Sequence, residues 1–369
     1  MIKRKQKPDL ILLISTGLLI ILGFISLASS SSPYSLELFG NTYYFLKHQL
    51  IFGLIPGLLL GYICYKFNLE VLRKISFWIL IFAILLCLTV FLPKIGSMVA
   101  GGRRWVKIFG ISAQPSEFLK LAFILYLSAW IYKFKEYKEK FKTVLLPFIL
   151  VLGLISLILF FQKDLGTLIV ILAIGSIIYF IADTPKSHIA IIALVAIIGI
   201  AFLIVSAQYR LDRLLIFLNP DNDPQGQGYH VNQALFAIGS GGIFGKGLGM
   251  GEQRFGFIPE PHTDSTFAIL AEETGFIGTF SVMIMFMLIL WRGIKVAKEQ
   301  HNDFSRSVSI GIVSWIIIQA FVNIGSMIGI MPLTGIPLSL LSYGSSSFVC
   351  QLMALGLLLN ISKKDSSNI

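Results

Sequence analysis

The sequence predicts an all-α polytopic membrane protein: ten transmembrane helices with a large extracellular loop between helices 7 and 8. Three observations carry that expectation. The 369 residues are 56% hydrophobic and 13% charged, and the mean hydropathy of +0.82 lies far from that of a soluble domain. Ten apolar runs approach the roughly 20 residues that cross a bilayer. Lys and Arg gather in short clusters between those runs, as in cytoplasmic loops.

In order, the runs are Leu10 to Ser29, Leu46 to Tyr65, Ile75 to Leu92, Ser116 to Tyr132, Val144 to Phe161, Leu165 to Ala182, His188 to Ala207, Ser265 to Trp291, Val308 to Met331, and Tyr343 to Ile361. An even number of spans puts both termini on one side. Lys3, Arg4, Lys5 and Lys7 of the N-terminus, Lys66, Arg73 and Lys74, the Lys133 to Thr143 cluster including Lys135, Lys138, Lys140 and Lys142, then Arg292, Lys295, Lys298 and Arg306, and finally Lys363 and Lys364, all fall on that side. The positive-inside rule makes it cytoplasmic. Residues 1–369 are expected to form a single membrane domain, with the extracellular stretch 208–264 carrying the site.

Several alternatives are weaker. The net charge of +11 is not organised as basic runs with interleaved aromatics, so nucleic acid is not an expected partner. The N-terminal KRKQKPD and following apolar run could pass for a signal peptide, but the run is long enough to span and many more follow. Cys64, Cys87 and Cys350 each fall inside an apolar run, where a thiol acts as a small hydrophobe, so no disulfide is expected.

Chemistry must then be sought where polar residues gather. Arg103, Arg104 and Lys107 sit on the outer face against the prevailing charge bias, and anion binding is the simplest reason for them. GSGGIFGKGLGMG could form an anion-binding nest, part of a re-entrant helix, or a flexible loop. Glu117 and Lys120 lie three apart on one helical face, either pairing with each other or lining a polar cavity. Lys163 with Asp164, and Glu272 with Glu273, raise the same question, and together these groups imply a pocket opening outward.

The strings GGRRW at 101–105, QPSEFLKLA at 114–122, QKDLGT at 162–167, NPDNDPQGQGY with AIGSGGIFGKGLG at 219–249, PEPHTDSTFAILAEETGFIG at 259–278 and GIPLSLLSYGSSS at 335–347 run in one order along the chain. In that order they resemble the SEDS family of membrane glycan polymerases, the FtsW/RodA/SpoVE type. Three departures stand out: Lys163 where the family usually has proline, Ser265 and Thr266 after the aspartate, and Ser345 in place of glycine. The resemblance implies a SEDS-type bundle and a peptidoglycan glycosyltransferase using lipid II at the outer face of the bacterial cytoplasmic membrane. It also implies a class B penicillin-binding protein as partner, and dependence of activity on Asp264.

Sugar transfer from a pyrophosphate needs a base near the acceptor hydroxyl and positive charge near the leaving group. Asp264 is read as that base, as a ligand for a divalent cation, Mg or Mn, or as a helix cap; no organic cofactor is expected. Arg103, Arg104 and Lys246 are candidates for the pyrophosphate, with lipid headgroups as the competing ligand. Trp105 either stacks on a sugar or anchors at the interface. His262 and Thr263, the two residues before the aspartate, are candidates for hydrogen bonds to the substrate, and no second His or Cys nearby makes a zinc-like set. The competing function is a lipid II flippase, which should carry charges along a midplane path and often shows inverted repeats.

Overall fold

The computed structural model describes residues 7–99, 101–108, 111–137, 140–182, 184–206, 208–219, 223 and 226–363. Lys3, Arg4, Lys5, Lys138, Lys364, Ala207 and most of the 220–225 stretch lie outside the described residues. Within them the protein is mostly helical. The helices are α1 (Leu10–Ser30), α2 (Ser32–Phe39), α3 (Tyr44–Gln49), α4 (Ile55–Lys66), α5 (Leu69–Leu88), α6 (Pro115–Lys133), α7 (Leu146–Phe161), α8 (Leu165–Ile181), α9 (Lys186–Val205), α10 (Gln208–Leu218), α11 (Gln227–Ser240), α12 (Thr266–Lys298), α13 (Asp303–Met327) and α14 (Ser345–Ile361). A short π-helix, Leu50–Leu54, joins α3 to α4 into one continuous rod.

Every predicted apolar run falls on helix, within a few residues at each end. By length and composition, six of the helical segments can cross a membrane, and α8, the Lys186–Gly199 part of α9 and α14 are shorter apolar helices. The remaining run, α6, carries Glu117 and Lys120 and is buried around most of its circumference. A helix covered on all sides is a core helix, and α6 packs centrally against α5, α8 and α13.

Helix starts follow local chemistry. Asp9 Oδ1 accepts from Leu12 N at 2.9 Å and caps α1, while its carboxylate also pairs with Arg292 at the far end of α12. Asp9 N donates to Ser362 Oγ at 3.0 Å, so the start of α1, the end of α12 and the end of α14 meet at one end of the bundle. On the α4–α14 seam, Gly61 and Gly356 let two backbones touch: a Cβ on Gly356 would lie 2.1 Å from Gly61 O. Small residues at such a crossing are how apolar helices gain close packing in a bilayer.

Two features depart from the expected all-α bundle. Residues 96–113 form a three-stranded antiparallel sheet, β1 (Gly96–Val99), β2 (Gly102–Ile108) and β3 (Ile111–Ala113), in the order β1-β2-β3. The two connections are tight, with Val99 paired to Gly102 and Ile108 to Ile111, and Gly101 at φ +74° supplies the left-handed backbone of the first. Second, the stretch 208–264 is not loop throughout, because it carries α10 and α11.

Candidate active site

Asp264 stands immediately before α12, and side chains and backbone from four elements converge on it. Asn323, on α13, donates from Nδ2 to Asp264 O at 2.8 Å and to Ile336 O at 2.8 Å. That single amide ties the aspartate to the segment carrying Gly335, whose Cα hydrogen points toward it: a Cβ there would lie 3.9 Å from Asp264 Oδ2. Gly335 has φ +69°, so a glycine is what lets the backbone run there unstrained. The cap reading for Asp264 is not what the helix uses, since α12 has Ser265 at its N-cap position and no side-chain cap bond.

Beside Asp264 lies a second carboxylate. Thr263 Oγ1 is 3.3 Å from Asp264 Oδ1 and 3.2 Å from Glu260 Oε2, so one hydroxyl stands between two acids. Burial pushes the half-buried Asp264 up from 3.8 to about 6, against the hydrogen bonds to its carboxylate and the positive charge of Arg213. Glu260 is raised too, by desolvation and by the Asp264 charge. Two acids this close favour holding a proton between them. Glu260 sits at φ +49°, a left-handed conformation uncommon for a residue with a Cβ, and such strain persists where the surroundings enforce it.

His230 on α11 completes the polar group. Its Nε2 is 2.7 Å from Ser265 Oγ, and that hydroxyl donates to Pro259 O at 2.8 Å. With the hydroxyl proton directed to Pro259, His230 must donate from Nε2, which leaves Nδ1 as the acceptor of a neutral ring. Burial lowers its pKa, and the Glu260 charge opposes that effect. Arg213, on α10, donates from Nη1 to Leu333 O at 3.3 Å and is close enough to Asp264 to stabilise its charge. Glu260, His230 and Arg213 were not singled out from sequence. Glu260 lay within the PEPHTD string, and a carboxylate meant to ionise near a bilayer calls for a nearby cation, which was the available clue to Arg213.

The remaining predicted residues take distinct places. His262 is 6% exposed and lies between Tyr34, Phe45 and Tyr343, with ring centroids 5.2, 4.2 and 5.5 Å away. Burial lowers it to about 4, so it is neutral at pH 7 and fixes the loop before Asp264 to α2, α3 and the 343 segment. Arg103 is exposed on β2, where a bulge breaks the alternation: Arg103 pairs with Met98 and Trp105 with the adjacent Ser97, so the two side chains fall on opposite faces of the sheet. Arg104, the extra residue of that bulge, donates from Nη2 to Lys163 O at 2.5 Å. No hydrogen bond or ion pair among the described residues joins Arg103 or Trp105 directly to Asp264.

Glu117 and Lys120 are a buried ion pair. Lys120 Nζ is 2.9 Å from Glu117 Oε1 and 2.9 Å from Gln319 Oε1, and lies 5.0 Å over the Trp315 ring. Gln319 in turn donates to Pro337 O at 3.0 Å. One turn along α13, Asn323 holds Ile336 and Asp264, so the pair supports the site from beneath. Asp164, also noted in the sequence, accepts from Ser116 Oγ at 2.9 Å, Gln114 Nε2 at 3.0 Å and Thr167 N at 3.3 Å, clasping the starts of α6 and α8 together.

Lys246 and the glycines explain each other. Lys246 Nζ is 2.8 Å from Glu272 Oε1, while Glu252 N and Gln253 N donate to the same carboxylate at 3.0 and 3.1 Å. The nest therefore holds an anion, and that anion is Glu272. A Cβ on Gly245 would lie 2.2 Å from Glu273 O, so the glycines let the loop press onto α12 where Gly275 kinks it at φ +64°. The ammonium of Lys246 is already neutralised there.

A family model described as "Cell cycle protein", FTSW_RODA_SPOVE, matches residues 9–367. The chain belongs to the FtsW/RodA/SpoVE family. Stage V sporulation protein E of Bacillus subtilis is 37% identical over 363 residues, covering 98% of this chain and 99% of that one. A probable peptidoglycan glycosyltransferase FtsW of Geobacter sp. is 34% identical over 362 residues, covering 98% of each. Among solved structures, a chain from a peptidoglycan synthase complex, solved for its coordination of polymerization and crosslinking, aligns with TM-score 0.79 at 26% identity over 96% of this chain and 97% of that one. Thermus thermophilus rod shape determining protein RodA aligns with TM-score 0.71 at 25% identity over 96% of each. Coverage of this extent makes the chain a multi-pass membrane protein of the FtsW/RodA/SpoVE type throughout.

Proposed function

We propose that this family member is a peptidoglycan glycosyltransferase that polymerises lipid II at the outer face of the bacterial cytoplasmic membrane. The observation that carries the reading is Asp264: a half-buried carboxyl raised to about 6, linked through Thr263 to Glu260 and facing Arg213, in a chain that its glycosyltransferase-named relatives cover end to end. A base with a pKa just below working pH is largely ionised yet still accepts a proton readily.

In the proposed step Asp264 takes the proton of the acceptor hydroxyl as its oxygen forms a bond to the donor's anomeric carbon. The bond from that carbon to the pyrophosphate breaks, and the polyprenyl pyrophosphate leaves with the electron pair. Arg213 and the exposed Arg103 supply positive charge for that leaving group, since guanidinium forks fit phosphate oxygens. Trp105, on the same strand, offers a ring for a sugar. In the alternative role for Asp264, it and Glu260 would instead hold a divalent cation such as Mg or Mn, two carboxylates leaving further positions for water and phosphate oxygens. Bound there, the cation would neutralise charge on the pyrophosphate.

The topology that accompanies this mechanism has ten spans, both termini cytoplasmic, and the 208–264 stretch outside. The meeting of Asp9, Arg292 and Ser362 at one end of the bundle supports it. The proposed partner is a class B penicillin-binding protein, in keeping with the synthase complex that the fold resembles. The flippase reading needs charges lining an open path, whereas Lys120 at 1% and Glu117 at 3% exposure are sealed into helix packing. The test uses purified protein in detergent with its transpeptidase partner and lipid II, the partner's crosslinking blocked by a β-lactam. Uncrosslinked glycan is the expected product, since detergent removes sidedness. No polymer, together with lipid II translocation in sealed vesicles, would hand the function to transport.

A further inference from the structure

At the other end of α6 from this site lies a cavity of about 520 Å³ between the start of α5 and the end of α6. From Glu117 to Lys133 the helix advances about 24 Å, close to the hydrocarbon thickness of a bilayer. Arg73, Lys74 and Lys133 line the cavity together with Phe77, Trp130 and Tyr132. Three positive charges thus meet an aromatic wall. Arg73 lies 4.2 Å over the Tyr132 ring, which fixes its guanidinium at the cavity.

Two further observations point to a ligand. The indole Nε1 of Trp130 is buried with no hydrogen-bond partner, a donor whose desolvation is uncompensated. None of Arg73, Lys74 and Lys133 pairs with a carboxylate among the described residues, although Glu70 and Glu136 are near in sequence, while the adjacent Lys135 pairs with Asp303. Phe77, 50% exposed, continues the wall outward over a surface that hydrocarbon would cover.

We propose that this cavity binds an anionic glycerophospholipid, its phosphodiester among Arg73, Lys74, Lys133 and Trp130 Nε1 and an acyl chain along Phe77. Basic pockets between helices are how lipid headgroups are read at a membrane surface. A soluble acidic segment would use the cations but would leave the aromatic wall without a partner. The proposal takes from the proposed topology only that this end of α6 faces the cytoplasmic leaflet, and its test needs no glycan synthesis.

The full chain, purified in detergent, is offered equimolar phosphatidylglycerol and phosphatidylcholine of matched chains, and bound lipid is counted by native mass spectrometry. The wild type should retain phosphatidylglycerol over phosphatidylcholine by about fivefold or more, and Arg73→Gln/Lys74→Gln/Lys133→Gln should bring the ratio near one. Trp130→Phe, which removes only the N–H, should lower the ratio in part. Equal retention of the two lipids by wild type, or an unchanged ratio in the triple variant, overturns the site. So does displacement of the bound lipid by excess glycerol phosphate or a polyglutamate peptide, because either would show that a soluble anion suffices. Should the triple variant fail to fold, quenching of wild-type tryptophan fluorescence by chain-brominated lipid decides the matter. Stronger quenching by the phosphatidylglycerol form supports the site, and equal quenching by both forms refutes it.

Discussion

Replacing Asp264 by Asn should make the protein more stable while removing its activity. The carboxyl moves from 3.8 to about 6 on folding, with burial as the largest cause. Ionising it in the folded state therefore carries a penalty of about 3 kcal/mol at 1.36 kcal/mol per unit. Because solvent still reaches the half-buried group, screening reduces this to roughly 1–2 kcal/mol. A carboxyl raised on folding holds its proton more tightly in the native state. Its contribution to stability is thus complete below pH 3.8 and is lost as pH rises through about 6. Asn keeps the shape and can still accept from Thr263 Oγ1, but it carries no charge. Denaturation midpoints of wild type and Asp264→Asn should coincide near pH 4 and separate above pH 6, with the variant higher. Polymer yield from lipid II, followed on gels with the transpeptidase blocked, should fall by about 100-fold or more, the low end of what a positioned base contributes. Wild-type rate should rise with pH and level off above about 6 to 7 as the base ionises. Substantial polymer from Asp264→Asn, or a variant less stable than wild type at pH 8, would refute the assignment of a desolvated base.

Variants at the Glu117–Lys120 pair and at Lys163 probe what supports the site. Lys120→Met leaves Glu117 buried without its cation, which should cost about 3–5 kcal/mol, while Glu117→Gln/Lys120→Met together should recover much of it; equal thermal denaturation of the single variant and wild type would count against a structural pair. Lys163 sits at φ +59° and donates its N–H to Phe160 O at 3.0 Å. Lys163→Gly should therefore stabilise by about 1 kcal/mol, and Lys163→Pro, which can neither adopt that φ nor donate, should destabilise. The opposite order of denaturation midpoints would show that this backbone is not retained.

The helices were legible because bilayer-length apolar runs are a strong periodic-free signal, and the run containing Glu117 and Lys120 was found despite its charges. The sheet at 96–113 was not foreseen. Its strands are short, its central strand mixes Arg, Trp, Val and Lys with a weak alternation that a bulge interrupts, and the glycines at 101 and 102 draw notice to the neighbouring arginines before they suggest a hairpin. Asp264, Thr263 and His262 were found because they are contiguous. Arg213 and His230 reach the same site from α10 and α11, across tens of residues of chain, and only the packing of those helices brings them there. The role of Lys246 was hidden for a related reason. Its partner Glu272 lies 26 residues away, and a lone lysine among glycines looks like an anion receptor until the anion proves to be part of the same chain.

The departure of Lys163 from the usual family proline follows from the same packing. Arg104 Nη2 is 2.5 Å from Lys163 O, and the left-handed φ at 163 turns that carbonyl toward the sheet. The next residue, Asp164, then accepts from Gln114, Ser116 and Thr167. Gln114 N is meanwhile bound to Ser346 Oγ at 3.1 Å, and Ser345 Oγ to Gln49 Oε1 at 3.3 Å. The sheet that carries Arg103 is thereby tied through 163–164 to α6, and through α6 to the start of α14, whose preceding Tyr343 N donates to His262 O at 2.9 Å. Two residues before Asp264, the same loop is thus reached from the sheet side, while Asn323 reaches it from α13. Held from both directions, the Asp264 loop is fixed independently of the exposed Arg103 side chain, which is the rigidity that the proposed general base would need.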